Sequence, residues 1–363
     1  MKISEREFKL NIWLVVIFGI IFLFAGVSIF FNNKLSTTFH LKPDLSQIES
    51  GSLEVHFLDT GEGDAILARL PNGITMIIDS GTMSRRSDIV SYIDKVFFDK
   101  KDKIFDYAIM THSDIDHSGN MLYVLENYQV KNFYRPKIFS RTEDDAYSSQ
   151  DMVLDSKNYD AIISKLNSLE KSGDTKILYS FAGAETTEIK DFVQFLSPNR
   201  SFYDDENMYS PIIKLSHNDK SILLTGDATI ENEIEVINAV DDIDIDVLKL
   251  AHHGSKTSTS RQFLEATSPQ FAIISYGENS AGHPSSEVLN NIKDYSKDLY
   301  NNIYTTFEEK NIVCHIDSGE IKFTFVDDIG SYIFVDYYYI AIAIMGICLI
   351  VVFFPKRKKE KKN

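Results

Sequence analysis

Hydrophobic and polar positions divide the chain into three regimes. Asn11–Phe31 and Tyr337–Phe354 are nearly uncharged runs, and the segment between them alternates short apolar runs with amphipathic stretches. Apolar runs at 53–58 (LEVHFL), 75–79 (TMIID), 106–110 (DYAIM), 211–215 (PIIKL), 221–225 (SILLT), 246–251 (DVLKLA) and 271–275 (FAIIS) predict strands. Helical spacing predicts helices over 86–98, 121–128, 159–171, 229–239, 262–266 and 286–295. Strands interleaved with helices predict an α/β domain in which sheets carry helices on their outer faces. Residues 136–157 read as a polar surface loop, and no internal repeat is visible at any fixed period.

The two uncharged runs predict membrane spans over 12–31 and 333–354. Twenty helical residues at about 1.5 Å each span about 30 Å, the thickness of a hydrocarbon core. Tyr332, Tyr337, Tyr338 and Tyr339 stand before the second run, and Pro355 with KRKKEKK follows it. That is an aromatic belt opposite a basic stop. Lys2, Arg6 and Lys9 precede the first run. The positive-inside rule therefore puts the tails 1–11 and 355–363 in the cytoplasm, with a linker over 32–50 and a domain over 51–328 outside the cell membrane. A cleaved signal peptide is the alternative for the first run, but its apolar stretch exceeds the usual about 7–15 residues.

Composition is that of a folded globular chain, 44% apolar and 25% charged. Charge changes the picture more. Without residues 1–11 and 356–363 the chain holds 28 basic and 50 acidic residues, a net −22. Polyanion binding rests on Lys and Arg contacts to phosphates, so this balance excludes a protein that wraps long nucleic acid over its whole surface. Of the two cysteines, Cys348 lies in the second span, which leaves Cys314 alone in the domain without an intrachain disulfide partner.

The candidate chemistry stands at strand ends. THSDIDHSGN (111–120) follows the run DYAIM and puts His112, Asp114, Asp116 and His117 into one tight loop. Two imidazoles and two carboxylates in six residues are satisfied together by a divalent cation. The plain alternative is a polar turn with capping side chains. LLTGDA (223–228) adds Asp227 after a second strand, and KLAHHGS (249–255) adds His252 and His253 after a third. Each of these is weak alone. Together, three strand ends carrying His or Asp are what a rigid metal site at a sheet edge requires.

At these motifs the chain resembles the metallo-β-lactamase fold hydrolases, and within them the extracytoplasmic domain of ComEC-type DNA-uptake proteins. The resemblance runs over about residues 53–325, through 55–81 (VHFLDTGEGDAILARLPNGITMIIDSG), THSDIDHSGN, 206–215 (ENMYSPIIKL), LLTGDA, 248–258 (LKLAHHGSKTS) and 281–289 (AGHPSSEVL). It implies an αββα sandwich forming one domain, with one or two divalent ions, Zn or Mn, at the edge of its sheets. Carried over by position, it makes His112 and Asp114 ligands of a first metal, Asp116 and His117 ligands of a second, and Asp227 a bridge. Of the later pair, His253 is favoured as the ligand that completes the second site and His252 as a phosphate or outer contact. Asp79 matches a position that supports the metal loop, and Asp59 and Asp64 match positions read as structural.

Two departures from the family pattern bear on the site. The usual HxHxDH loop has Asp114 in place of its middle histidine, which favours harder cations such as Mn²⁺ beside Zn²⁺. The only histidine from 118 to 226 is His217, read as a turn residue in SHND. Asn207 and Ser210 fit the Asn-x-x-Ser that the ComEC-like branch carries instead, which implies a first site that is weak or completed by substrate. Bound ions would acidify a water and stabilise charge on phosphoryl oxygens. Asp116 and Asp227 are the candidates to orient or deprotonate that water. His283 is a candidate phosphate contact or acid, with helix capping as the alternative. The expected substrate is a phosphodiester: DNA by the resemblance, or a small or cell-surface ester such as a phosphocholine ester given the charge. A tethered binding or sensory module with a degenerate site is the reading from another class.

Overall fold

The computed structural model describes residues 51–98, 102–143, 147–278 and 282–327. The expected membrane spans, linker and tails lie outside these residues, and among the described residues no helix is long and apolar enough to cross a membrane. In chain order the strands are β1 (Leu53–Phe57), β2 (Ile66–Arg69), β3 (Thr75–Ile78), β4 (Ile104–Ile109), β5 (Gln129–Arg135), β6 (Phe139–Ser140), β7 (Val153–Leu154) and β8 (Lys176–Tyr179). The second half supplies β9 (Val193–Phe195), β10 (Ile213–His217), β11 (Lys220–Leu224), β12 (Val247–Lys249), β13 (Phe271–Ile274), β14 (Ile303–Thr305), β15 (Asn311–Asp317) and β16 (Glu320–Val326).

These strands form an eight-stranded sheet, β16-β15-β1-β2-β3-β4-β5-β8, and a six-stranded sheet, β14-β13-β12-β11-β10-β9. In the first, β3, β4, β5 and β8 run parallel. In the second, β11 to β14 do. Side chains that alternate along a strand explain why the two sheets stack. Ile222 and Leu224 of β11, Val247 of β12 and Ile273 of β13 join Val55, Met76, Ile109 and Cys314 in one buried cluster between the sheets. The intervening Leu223, Leu248, Ala272 and Ile274 face the other way and pack with Val236, Phe263, Val288 and Ile292 of helices Ile230–Ala239, Arg261–Thr267 and Ser286–Tyr295. On the far side of the larger sheet Phe105 stacks on Phe97 and meets Tyr128. The order is helices, sheet, sheet, helices, the α/β sandwich expected from the pattern.

Local signals set the helix ends. Ser156 caps Lys157–Ser172 by accepting from Tyr159 N–H, and Gly173 ends it in the left-handed conformation. Thr229 and Asn232 form a reciprocal capping box at Ile230–Ala239. The segment 136–157, expected to be a surface loop, is tied down instead. β6 pairs with β7, and the buried Arg135 guanidinium holds Glu143 through two bonds of 2.8 and 3.0 Å.

Candidate metal centre

Four chain segments meet beyond the C-terminal ends of parallel strands, where backbone carbonyls no longer pair and loops are free to present side chains. After β3 comes Asp79, buried and in the left-handed region at φ 56°. It accepts from Thr111 N–H at 2.8 Å and from the Thr111 hydroxyl at 2.6 Å, which fastens the loop that follows β4. That loop turns into the short helix Ile115–Ser118, with His117 and Ser118 both donating backbone N–H to Asp114 O. Gly63 packs on this turn at φ 80°, where a Cβ would lie 1.9 Å from Asp116 O, so no larger residue fits. After β11, Gly226 turns the chain and Asp227 N–H donates to Ser210 Oγ at 3.2 Å. After β12, His252 and His253 are both left-handed, at φ 48° and 54°.

The side chains converge on Asp227. Its Oδ1 lies 3.2 Å from His117 Nε2 and 3.6 Å from His253 Nε2. Its Oδ2 lies 3.7 Å from both His112 Nε2 and His252 Nε2. Asp116 Oδ2 is 3.5 Å from His253 Nε2, and Asp114 Oδ2 is 3.8 Å from His112 Nε2. Donors about 2.1 Å from a tetrahedral cation stand about 3.4 Å apart, which is the spacing of this set.

Hydrogen positions sharpen the fit. His117 Nδ1 is 2.8 Å from Asp79 Oδ2 and His253 Nδ1 is 3.0 Å from the Ser275 carbonyl. Both partners only accept, so each Nδ1 carries the hydrogen and each Nε2 is left with a lone pair. Yet the two Nε2 atoms stand 3.2 Å apart, with Asp227 Oδ1 beside them. Two Nε2 atoms at that distance need a positive charge between them, either a proton or a metal cation. His112 repeats the pattern. The Thr111 hydroxyl spends its hydrogen on Asp79 and accepts from His112 Nδ1 at 3.0 Å, so His112 Nε2 is a buried lone pair without a hydrogen-bond partner. Two imidazoles and carboxylate oxygens on each side fit a divalent cation.

Electrostatics call for positive charge at the same place. Burial pushes Asp227 up, but His117, His253 and His112 outweigh it and hold the carboxyl well below its usual range. Burial would depress His117, yet Asp227 and Asp79 keep it well above the ordinary 6.5. Burial, with His117 beside it, pushes His112 down to about 4. Asp114, half exposed, rises to about 7 through burial and the neighbouring Glu206.

Every sequence-predicted donor is in this group. Ser210 joins it, 3.5 Å from His112 Nδ1. The buried Oδ1 of Asn207 has no hydrogen-bond partner among the described residues. His283 stands at the rim, its ring 5.5 Å from that of His252. His217 ends β10 at the hairpin turn, bonded to Asn218. Asp59 holds Gly61 N–H and Arg85, as a structural residue would. Asp64 was read the same way but comes closer: its carboxylate lies within 4.8 Å of the donor atoms of His117, Asp227 and His253. Its other attachment is Lys249, a buried ammonium 2.9 Å from Asp64 Oδ2 that sequence reasoning missed.

Comparison with known proteins agrees with this architecture. The chain is 32% identical over 260 residues to ComE operon protein 3 of Bacillus subtilis, covering 67% of this chain and 31% of that protein. It is 27% identical over 257 residues to Recombination protein 2 of Haemophilus influenzae, covering 70% and 28%. The chain thus spans about a third of the length of these relatives. Among solved structures, a metallo hydrolase from Ignicoccus hospitalis is 12% identical with a TM-score of 0.40, covering 76% of this chain and all of that one. The long form of yeast RNase Z is 11% identical with a TM-score of 0.44, covering 75% and 42%. Both are too distant to bear on the chemistry. The profile of the metallo-beta-lactamase superfamily matches residues 58–278. With that match over more than half its length, the chain belongs to the metallo-β-lactamase superfamily.

Proposed function

We propose that this domain is a metal-dependent phosphodiesterase, a nuclease of the kind its competence and recombination relatives suggest. The observation that carries the reading is the pair of Nε2 atoms 3.2 Å apart on His117 and His253, which need a shared positive charge, with Asp116 and Asp227 beside them. These four residues would hold a cation, Zn²⁺ or Mn²⁺. A divalent cation there supplies Lewis acidity at a phosphoryl oxygen and an activated water. The chain does the rest. Asp79 fixes the His117 tautomer. Asp116, partly open to solvent, is placed to take a proton from the attacking water. His283 stands beside His252 at the rim, and burial with His252 and His253 lowers its pKa, which suits its neutral ring to contact a phosphate rather than to supply a proton.

The net charge of −22 favours a second substrate reading, a small or cell-surface phosphodiester. The apolar runs at 12–31 and 333–354 support a membrane-anchored protein with both termini in the cytoplasm and the domain outside. The test is a side-by-side assay of the full chain with a bis-aryl phosphodiester, single-stranded and duplex DNA and a phosphocholine ester, with Mn²⁺, Zn²⁺ or chelator. A chelator-sensitive rate on one of them is expected. A chain that binds no transition metal, and whose metal content and melting are unchanged in Asp227→Asn, is a binding or sensory module instead.

A further inference from the structure

The metal loop lacks its usual middle histidine, and no imidazole between 118 and 226 reaches the centre, since His217 lies at the β10 turn. The two oxygens of Asp227 are nevertheless equivalently surrounded. Oδ1 has His117 and His253, and Oδ2 has His112 and His252, each oxygen with two Nε2 atoms at 3.2 to 3.7 Å. Asp116 stands on the first side and Asp114 on the second. We propose that His252 is the missing imidazole donor, so that the consecutive histidines serve two different cations bridged by Asp227. This rests on the metal-dependent reading above and goes beyond it in assigning the second position and its ligand.

The backbone is built for this division. Two successive non-glycine residues in the left-handed region are strained and persist only where surrounding structure imposes them. Here the loop is fixed on both sides. His252 N–H donates to Gly226 O at 3.0 Å, which ties it to the residue before Asp227, and Ser285 N–H donates to Gly254 O at 2.9 Å. The result is two rings 6.2 Å apart and 85° from parallel, each aimed at its own oxygen of Asp227. His252 Nδ1 lies 3.2 Å from Thr257 Oγ1, which has Ser255 Oγ at 3.0 Å as a partner for its own hydrogen. When Thr257 donates to Ser255 and accepts from His252 Nδ1–H, His252 Nε2 is left as a lone pair. The His252 and Asp114 side chains are 25% and 44% exposed while those of His117 and His253 are 0% and 8%, so the proposed position is the one open to substrate.

The experiment loads the chelator-stripped full chain with Mn²⁺ and reads stoichiometry by elemental analysis and the electron paramagnetic resonance spectrum. Wild type is expected to take two ions with an exchange-coupled signal, because ions bridged about 3.5–4 Å apart interact magnetically. His252→Asn, whose side chain tolerates the left-handed backbone, should hold one ion with an uncoupled signal. Its loss at the weaker position should exceed the about 10- to 100-fold that removing an outer partner costs. His252→Asp, which restores a donor, should regain the second ion. Electron–nuclear spectroscopy of the wild type with ¹⁵N-histidine should count four ligated imidazoles, a readout that does not depend on either variant folding. Three imidazoles, one ion in wild type, or two coupled ions in His252→Asn would overturn the assignment and leave the hydrolase reading standing. No bound ion at all would remove both.

Discussion

A lysine in the middle of an apolar parallel strand needs an answering charge, because an isolated buried ammonium is far costlier than any packing it gains. Lys249 shares the inner face of β12 with Val247, and its answer is Asp64 at 2.9 Å, with Leu250 O as a second acceptor. Burial would raise the Asp64 carboxyl, but Lys249, then His253 and His117, hold it below its ordinary range. The charge in DVLKLA was a visible sign that a partner existed. Asp64 gave no such sign, since an acid beside Gly63 reads as a turn residue until the fold brings it 185 positions along the chain to its lysine. The donors themselves were legible because each follows an apolar run. The Nε2 geometry was not, because tautomers depend on Asp79, Thr111 and Ser275 across the fold. Lys249→Met should destabilise the metal-free chain by about 3–5 kcal/mol by stranding a buried carboxylate. Adding Asp64→Asn should recover more than half of that. Urea denaturation of the single and double variants measures it, and additive losses would show that the two residues do not act as a pair.

At the level of elements, strands buried on both faces read as unbroken apolar runs, and β4, β11, β12 and β13 were visible for that reason. The four edge strands of the two large sheets, β8, β9, β14 and β16, were missed: β9 (VQF) and β16 (EIKFTFV) set polar residues between apolar ones, and β8 (KILY) and β14 (IYT) are too short to show a period. β5 (QVKNFYR) and β15 (NIVCHID) carry polar residues within the run, which hid them as well. Helix ends were closer, and their caps carry testable energy. Glu233 on helix Ile230–Ala239 accepts from Thr259 N–H and, at 2.9 Å, from Ser260 N–H, which holds the segment after the histidine pair and the start of helix Arg261–Thr267. Burial outweighs those bonds and lifts its carboxyl from the ordinary 4.5 to about 7. The folded chain therefore keeps a proton that the unfolded chain releases, and the associated stability is full below pH 4.5 and is lost as pH rises to about 7. Glu233→Gln removes the titration. The stability of wild type relative to this variant should fall between pH 4.5 and 8 by at most about 3 kcal/mol. Urea melts across that range read the difference, and a constant or rising gap would show that Glu233 is ionised in the fold.

For the whole molecule the decisive quantity is charge. With 50 acidic and 28 basic residues between positions 12 and 355, the chain repels a polyanion at long range, so DNA can be gripped only where cations or local lysines outweigh that field. Beside the centre, the loop after the histidine pair exposes Lys256, and Arg86 reaches Asn120 at the end of the metal loop. A footprint of about two phosphates gives a salt exponent of about −1.8, whereas a basic groove contacting six to ten loses about 10³–10⁵ in affinity between 50 and 200 mM salt. If DNA is the substrate, its KM should rise only about tenfold over that range at fixed Mn²⁺. A small phosphodiester, carrying one charge, should change by less than about twofold. A loss of a thousandfold would require an extended basic surface that the described residues do not display, and the DNA would then be held by a part of the protein other than this domain.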